Sequence, residues 1–134
     1  MQTAETINTK LWAVGDTMDK PWGKMVIIDI GPGYLVKRIE LNPGHRMSLQ
    51  RHVYREERWT VVLGSAKITL DDKEFEANVG DAIHIPLRAI HRAQCISDVP
   101  FIIIETWKGV RLLESDIERF SDDYGRVSAE EIKK

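Results

Sequence analysis

Pro43-Gly44-His45-Arg46-Met47-Ser48-Leu49-Gln50-Arg51-His52-Val53-Tyr54-Arg55-Glu56-Glu57-Arg58-Trp59 is the stretch on which the reading of this chain turns. Alternate residues of an extended chain face one side, so Gln50, His52 and Tyr54 share a face. Glu57 follows a short corner and shares parity with Trp59, Val61 and Leu63. Those three are apolar and are expected to face a core, which turns Glu57 inward as well. A buried carboxylate is costly unless it is paired or bound to a cation. A histidine and a carboxylate converging on one interior are natural metal ligands, which makes His52 and Glu57 the leading pair. The amide oxygen of Gln50 would add a third, weaker ligand. A single buried histidine is more often a hydrogen-bonded core residue, and His45 and His84 are weaker candidates for that reason.

Working outward, the chain reads as short strands separated by turns. Lys24–Ile30 is rich in β-branched residues, Gly31-Pro32-Gly33 is a turn, and Tyr34–Leu41 is a second strand ended by Asn42-Pro43-Gly44. Trp59–Leu63, Ala66–Leu70, Glu74–Ala77, Ala82–Ile85 and Phe101–Trp107 continue the series. Such spacing predicts an all-β sandwich or barrel. Between Gly80 and His91 a strand meets a proline stop at Pro86 and a short loop ends on His91, a loop-borne histidine that could supply a fourth ligand at the barrel mouth. In the tail, Ser115 is placed as the N-cap of Asp116–Phe120, with Glu118 completing a capping box, and Ser128 precedes a second short helical segment.

Composition narrows the classes. With 134 residues, 19 basic and 21 acidic side chains, the chain is one domain in size and slightly acidic, which argues against nucleic acid as a partner. No apolar run approaches the ~20 residues of a membrane span. The N-terminal residues lack the basic and apolar regions of a signal peptide, and Cys95 is the single cysteine, so a reducing cytoplasm is expected. The organisation read from the chain is an N-terminal arm or edge strand (1–20), a barrel with its extension (21–127) and a tail (128–134).

The spacing resembles the cupins. Their first motif is Gly, five residues, His-x-His, three or four residues, Glu, six residues, Gly. Here it reads Gly44, five residues, Gln50-x-His52, four residues, Glu57, six residues, Gly64. Their second motif is Gly, five residues, Pro-x-Gly, two residues, His, three residues, Asn. Here it reads Gly80, five residues, Pro86-x-Arg88, two residues, His91, three residues, Cys95. Gln50, Arg88 and Cys95 are the departures.

Within the cupins, the chain is similar to the cupin domain of type II mannose-6-phosphate isomerases. Lys20-Pro21-Trp22-Gly23, Lys37-Arg38-Ile39, Ser48-Leu49-Gln50, Arg55, Trp59, Ile85-Pro86, Asp116-Ile117-Glu118-Arg119-Phe120 and Asp123-Tyr124-Gly125-Arg126 match that pattern. Tyr54 and Arg58 stand where that family has histidines. The resemblance implies a cupin (jelly-roll) barrel and a metal held by Gln50, His52, Glu57 and His91. Zinc suits that donor set first, with manganese, iron, nickel or cobalt as alternatives.

It also implies interconversion of mannose 6-phosphate and fructose 6-phosphate through an enediol. Lys37 and Glu105 share parity with apolar neighbours, turn inward on their strands, and with Arg55 are the candidates for catalysis. Tyr54, His84, Arg88 and Arg126 are the candidates for holding the sugar phosphate. The expected assembly is a homodimer using the 1–20 arm. The rival readings are a non-catalytic metal- or sugar-binding cupin and another small metal-dependent cupin enzyme.

Overall fold

The structure, a computed structural model, describes residues 12–126. Eleven strands follow in order among them: β1 (Thr17–Lys20), β2 (Gly23–Gly31), β3 (Tyr34–Leu41), β4 (Leu49–Arg51), β5 (Arg55–Leu63), β6 (Ala66–Leu70), β7 (Lys73–Ala77), β8 (Ala82–Ile85), β9 (His91–Cys95), β10 (Phe101–Gly109) and β11 (Glu118–Ser121). They form two antiparallel sheets. One has the order β1-β2-β3-β10-β5-β8 and the other β11-β4-β9-β6-β7. The sheets enclose one interior, as the alternating pattern requires.

The long central strands show why. On β3, Leu35, Lys37, Ile39 and Leu41 are buried while their neighbours are only partly covered. On β5 the buried set is Arg55, Glu57, Trp59 and Val61. Register places Ile103 of β10 between Ile39 and Val61, Glu105 between Lys37 and Trp59, and Trp107 between Leu35 and Glu57. The inward face therefore runs from an apolar end into a charged one along the same three strands. At the apolar end Ile39, Leu41, Val61, Ala66, Ile68, Ala93, Phe101 and Ile103 make the main core. Gly64 closes β5 at φ +74°, and a Cβ there would strike the Pro100 carbonyl, so the motif glycine answers both to conformation and to space.

Two expectations are corrected, the helical tail and the burial of Leu63. The tail contains no helix among the described residues: Glu118–Ser121 is strand β11, paired with β4. The carboxylate of Glu118 reaches Arg51 (2.7 Å) rather than back toward Ser115. Asp116 spends its side chain on the backbone N–H groups of Val53 and Tyr54 (2.9 Å each) rather than on a helix start. Leu63, expected in the core, is 40% exposed, because a register shift at Ile102/Ile103 ends the alternation before it. Of the arm, Thr17–Lys20 forms an edge strand against β2. The segment after Ser128 and most of the arm lie outside the described residues.

Candidate metal centre

The corner between β4 and β5, the start of β9 and the middle of β5 bring three ligand atoms together. His52 Nε2 lies 3.2 Å from Glu57 Oε2, and His91 Nε2 lies 3.8 Å from Glu57 Oε1. The three atoms fall within 4.8 Å of one another, and all three residues are buried. Ligand atoms about 2.1 Å from a tetrahedral ion lie roughly 3.4 Å apart, so these spacings suit one ion. Each imidazole is held through its other nitrogen: Nδ1 of His52 donates to the Asp116 carbonyl (2.7 Å), and Nδ1 of His91 donates to the Ala89 carbonyl (2.9 Å). That tautomer leaves Nε2 of each ring without a proton and close to Glu57, as metal-binding histidines require.

Electrostatics agree with the geometry. Burial, with the Arg55 charge second, drives His52 down to about 3, and burial likewise lowers His91. Both rings are therefore neutral and able to ligate at neutral pH. Burial pushes the Glu57 carboxyl up, and His52, Arg55 and His91 beside it more than reverse this, so it is held below the usual carboxylate range. Glu57 is further fixed by the Trp59 indole N–H, which donates to Oε1 (3.0 Å), and by Arg55 Nε, which donates to Oε2 (2.9 Å).

Arg55 is buried by stacking on Trp107, with the guanidinium carbon 3.4 Å from the ring centroid. Its Nη2 also donates to His52 Nε2 (3.2 Å). The chain's own cation thus sits against two of the three ligand atoms, and an ion at His52 Nε2 takes the place of that one hydrogen bond.

An open cavity lies over this centre. Gln50, Glu57, His91 and Arg55 line it, joined by Lys20, Lys37, Glu105, Glu114 and Arg126. Gln50 is the ladder partner of His91, and its amide nitrogen donates to Ser48 Oγ (3.0 Å) and Ser48 O (3.2 Å), which orients the amide. Glu105 accepts from the Trp107 indole (2.7 Å); burial first, then the Glu57 charge, pushes it up to about 8. Lys37 is fully buried and lowered by burial, opposed by Glu114 and Glu105. Arg126 reaches the cavity wall on a bidentate bond to Asp122 (2.8 and 2.9 Å).

Three expected substrate residues lie elsewhere. Tyr54 is 44% exposed under the Arg111 guanidinium, because the corner points it outward while Asp116 holds its backbone. His84 faces out of β8 opposite Arg58 and pairs with Glu56 (2.9 Å). Arg88 is exposed at φ +67°, where the cupin pattern has glycine. Its backbone N–H donates to the His52 carbonyl (2.8 Å), so that position braces the turn beneath His52. His45 lies outside the His52–Glu57–His91 cluster, and its Nδ1 bonds the Tyr124 hydroxyl at 2.7 Å.

Sequence reasoning passed over Glu114, the backbone support from Asp116, and the indoles. A signal existed for the last: Glu-x-Trp occurs at 57–59 and again at 105–107, and i,i+2 residues of a strand share a face.

Comparison with known proteins fits this geometry. The family model described as "Mannose-6-phosphate isomerase C-terminal" matches residues 8–122. A mannose-1-phosphate guanylyltransferase of Escherichia coli K12 is 44% identical over 108 residues, covering 81% of this chain and 23% of that protein. The alginate biosynthesis protein AlgA of Pseudomonas aeruginosa is 42% identical over 109 residues, again 81% of this chain and 23% of the relative. The chain thus spans about a quarter of the length of these curated relatives. The cupin domain of Schizosaccharomyces pombe Cnp3 superposes with a TM-score of 0.62 at 11% identity over 64% of each chain. The expected cupin fold is what the structure has.

Proposed function

Because the chain belongs to the mannose-6-phosphate isomerase C-terminal family, we propose that it is a metal-dependent sugar-phosphate isomerase interconverting mannose 6-phosphate and fructose 6-phosphate. The observation that carries this reading is the convergence of His52, Glu57 and His91 beneath an open cavity walled by Lys37 and Glu105. Gln50, His52, Glu57 and His91 would hold the ion. A divalent ion there, zinc first for this donor set, supplies Lewis-acid polarisation of the oxygens on the reacting carbons.

The chain's own residues do the rest. Glu105, anchored by Trp107 on the cavity wall, is the residue placed to exchange a proton with the sugar as it passes through the enediol. Lys37, its ladder neighbour, serves as a second proton carrier or as a contact for the phosphate. Arg55 keeps the Glu57 carboxylate ionised and oriented. Arg126 adds positive charge at the cavity wall.

The rival reading is a non-catalytic metal- or sugar-binding domain, favoured by Tyr54 and Arg58, which stand where the resembled family has histidines. Coupled turnover of mannose 6-phosphate separates the two. Turnover after metal reconstitution, lost on chelation, is the expected result. Stoichiometric metal without turnover would overturn the isomerase reading in favour of the binding one. The proposal includes a cytoplasmic homodimer. Strands β1 and β8 are sheet edges that a second copy can cover, and light scattering of the purified chain tests that part.

A further inference from the structure

A second cluster of charge lines the cavity and takes no part in holding an ion at Glu57. Lys20 ends β1, Lys37 lies mid-way along β3, and Glu114 sits on the loop between β10 and β11. Glu114 presents one oxygen to each lysine: Lys37 Nζ is 3.2 Å from Oε1, and Lys20 Nζ is 3.4 Å from Oε2. Both contacts are long for charge-assisted hydrogen bonds, which run about 2.7–2.9 Å. The other groups about the Lys37 ammonium are Met25 Sδ (3.7 Å), the faces of Trp107 and Trp12, and its ladder partner Glu105, which acts on it electrostatically without a direct ion pair.

Burial is lopsided. The Lys37 side chain is 1% exposed and that of Glu114 is 39% exposed, so a solvent-reached carboxylate covers a buried ammonium. Two ammonium groups share the one Glu114 carboxylate. A carboxylate bridging two cations through two oxygens is also the pattern that two oxygens of a phosphoryl group would make.

We propose that Lys20 and Lys37 form the seat for the phosphoryl group of the ligand, and that Glu114 is an internal anion that fills the seat until the ligand displaces it. The inference deepens the isomerase reading and rests on it for the identity of the ligand. A phosphate monoester carries close to two negative charges at neutral pH, and it matches the two lysines once Glu114 has turned away. Leu112, fully buried, and the Leu113 carbonyl, which accepts from Arg55 Nη1 (3.3 Å), anchor the loop immediately before Glu114. Rotation of the Glu114 side chain alone opens the seat. The motif Lys20-Pro21-Trp22-Gly23 gains a role here: Trp22 is buried against the core and fixes the strand end that delivers Lys20.

The test is calorimetric titration of inorganic phosphate into the full chain after metal and chelator have been dialysed away, so that no metal–phosphate contact contributes. Glu114→Gln keeps the shape and removes the competing charge, and is expected to bind phosphate about tenfold more tightly than the parent. Lys20→Met, at a partly exposed strand end, is expected to cancel that gain in the double variant. Phosphate affinity unchanged or weakened in Glu114→Gln, or unaffected by Lys20→Met, overturns the proposal, as does absence of binding in every form. Coupled isomerase turnover of the parent is read separately. Affinity shifts as expected without turnover remove the isomerase reading and leave the seat. Turnover without the shifts removes the seat and leaves the isomerase.

Discussion

The two ends of the barrel interior are built by the same strands and bury opposite chemistry. At one end β3, β5 and β10 bring Ile39, Val61 and Ile103 into one row. Two and four residues further along the same faces, the rows become Lys37–Glu105–Trp59 and Leu35–Trp107–Glu57. The first end is explained by the hydrophobic effect alone. The second is not, since charges taken from water cost several kcal/mol each unless their partners are well placed. Its partners are well placed: each carboxylate accepts an indole N–H from its own strand, and Arg55 is wedged between Glu57 and Trp107. The apolar end holds the fold together, and the charged end keeps a chemistry that the fold must support.

Substitutions at the two ends should differ in kind. The largest effect is expected from Glu57→Ala, which strands Arg55 without its carboxylate. A loss of about 3–5 kcal/mol is expected in urea unfolding, together with loss of metal binding. A small stability change would mean that the charged end is less tightly coupled than its distances indicate. Next comes Ile103→Ala at the apolar end, with about 2–4 kcal/mol lost to the cavity it leaves. Here metal content per folded chain should stay unchanged, and a loss of metal would erase the distinction between the ends.

Glu105→Gln sharpens the contrast within the charged end. Burial and Glu57 raise the Glu105 carboxyl to about 8, so between the unfolded value near 4.5 and that point the native state holds a proton that the unfolded chain gives up. Its contribution to stability is present below about 4.5 and is lost as pH rises toward 8. Glu105→Gln removes that dependence, so in metal-free protein the parent should lose more stability than the variant between pH 5 and pH 8. Parallel curves in urea denaturation would contradict the assignment. The smallest effect is expected outside both ends. Asp123→Asn breaks the exposed bidentate contact with Arg46, and a loss of under about 1 kcal/mol is expected in thermal unfolding.

Strand parity made much of this readable. Lys37, Glu57 and Glu105 turn inward because their apolar neighbours at i±2 do, and the motif spacing delivers His52 and His91 to the same carboxylate. Tertiary pairing governed what parity could not reach. The capping signal at Ser115–Glu118 lost to a free edge on β4, and the corner that turns Glu57 in turns Tyr54 out. Arg88 stands at a left-handed backbone position where the cupin pattern has glycine, and its side chain is exposed rather than turned into the cavity. Glu114 lies in a loop without periodicity, where only the folded chain shows which lysines it meets.

The central claim is that the charged end is a metal centre, and metal content measured by mass spectrometry on reconstituted protein tests it most directly. One divalent ion per chain is predicted for the parent, with loss of that ion in both His52→Ala and Glu57→Ala. Retention of stoichiometric metal by both variants, or no metal in the reconstituted parent, would contradict it.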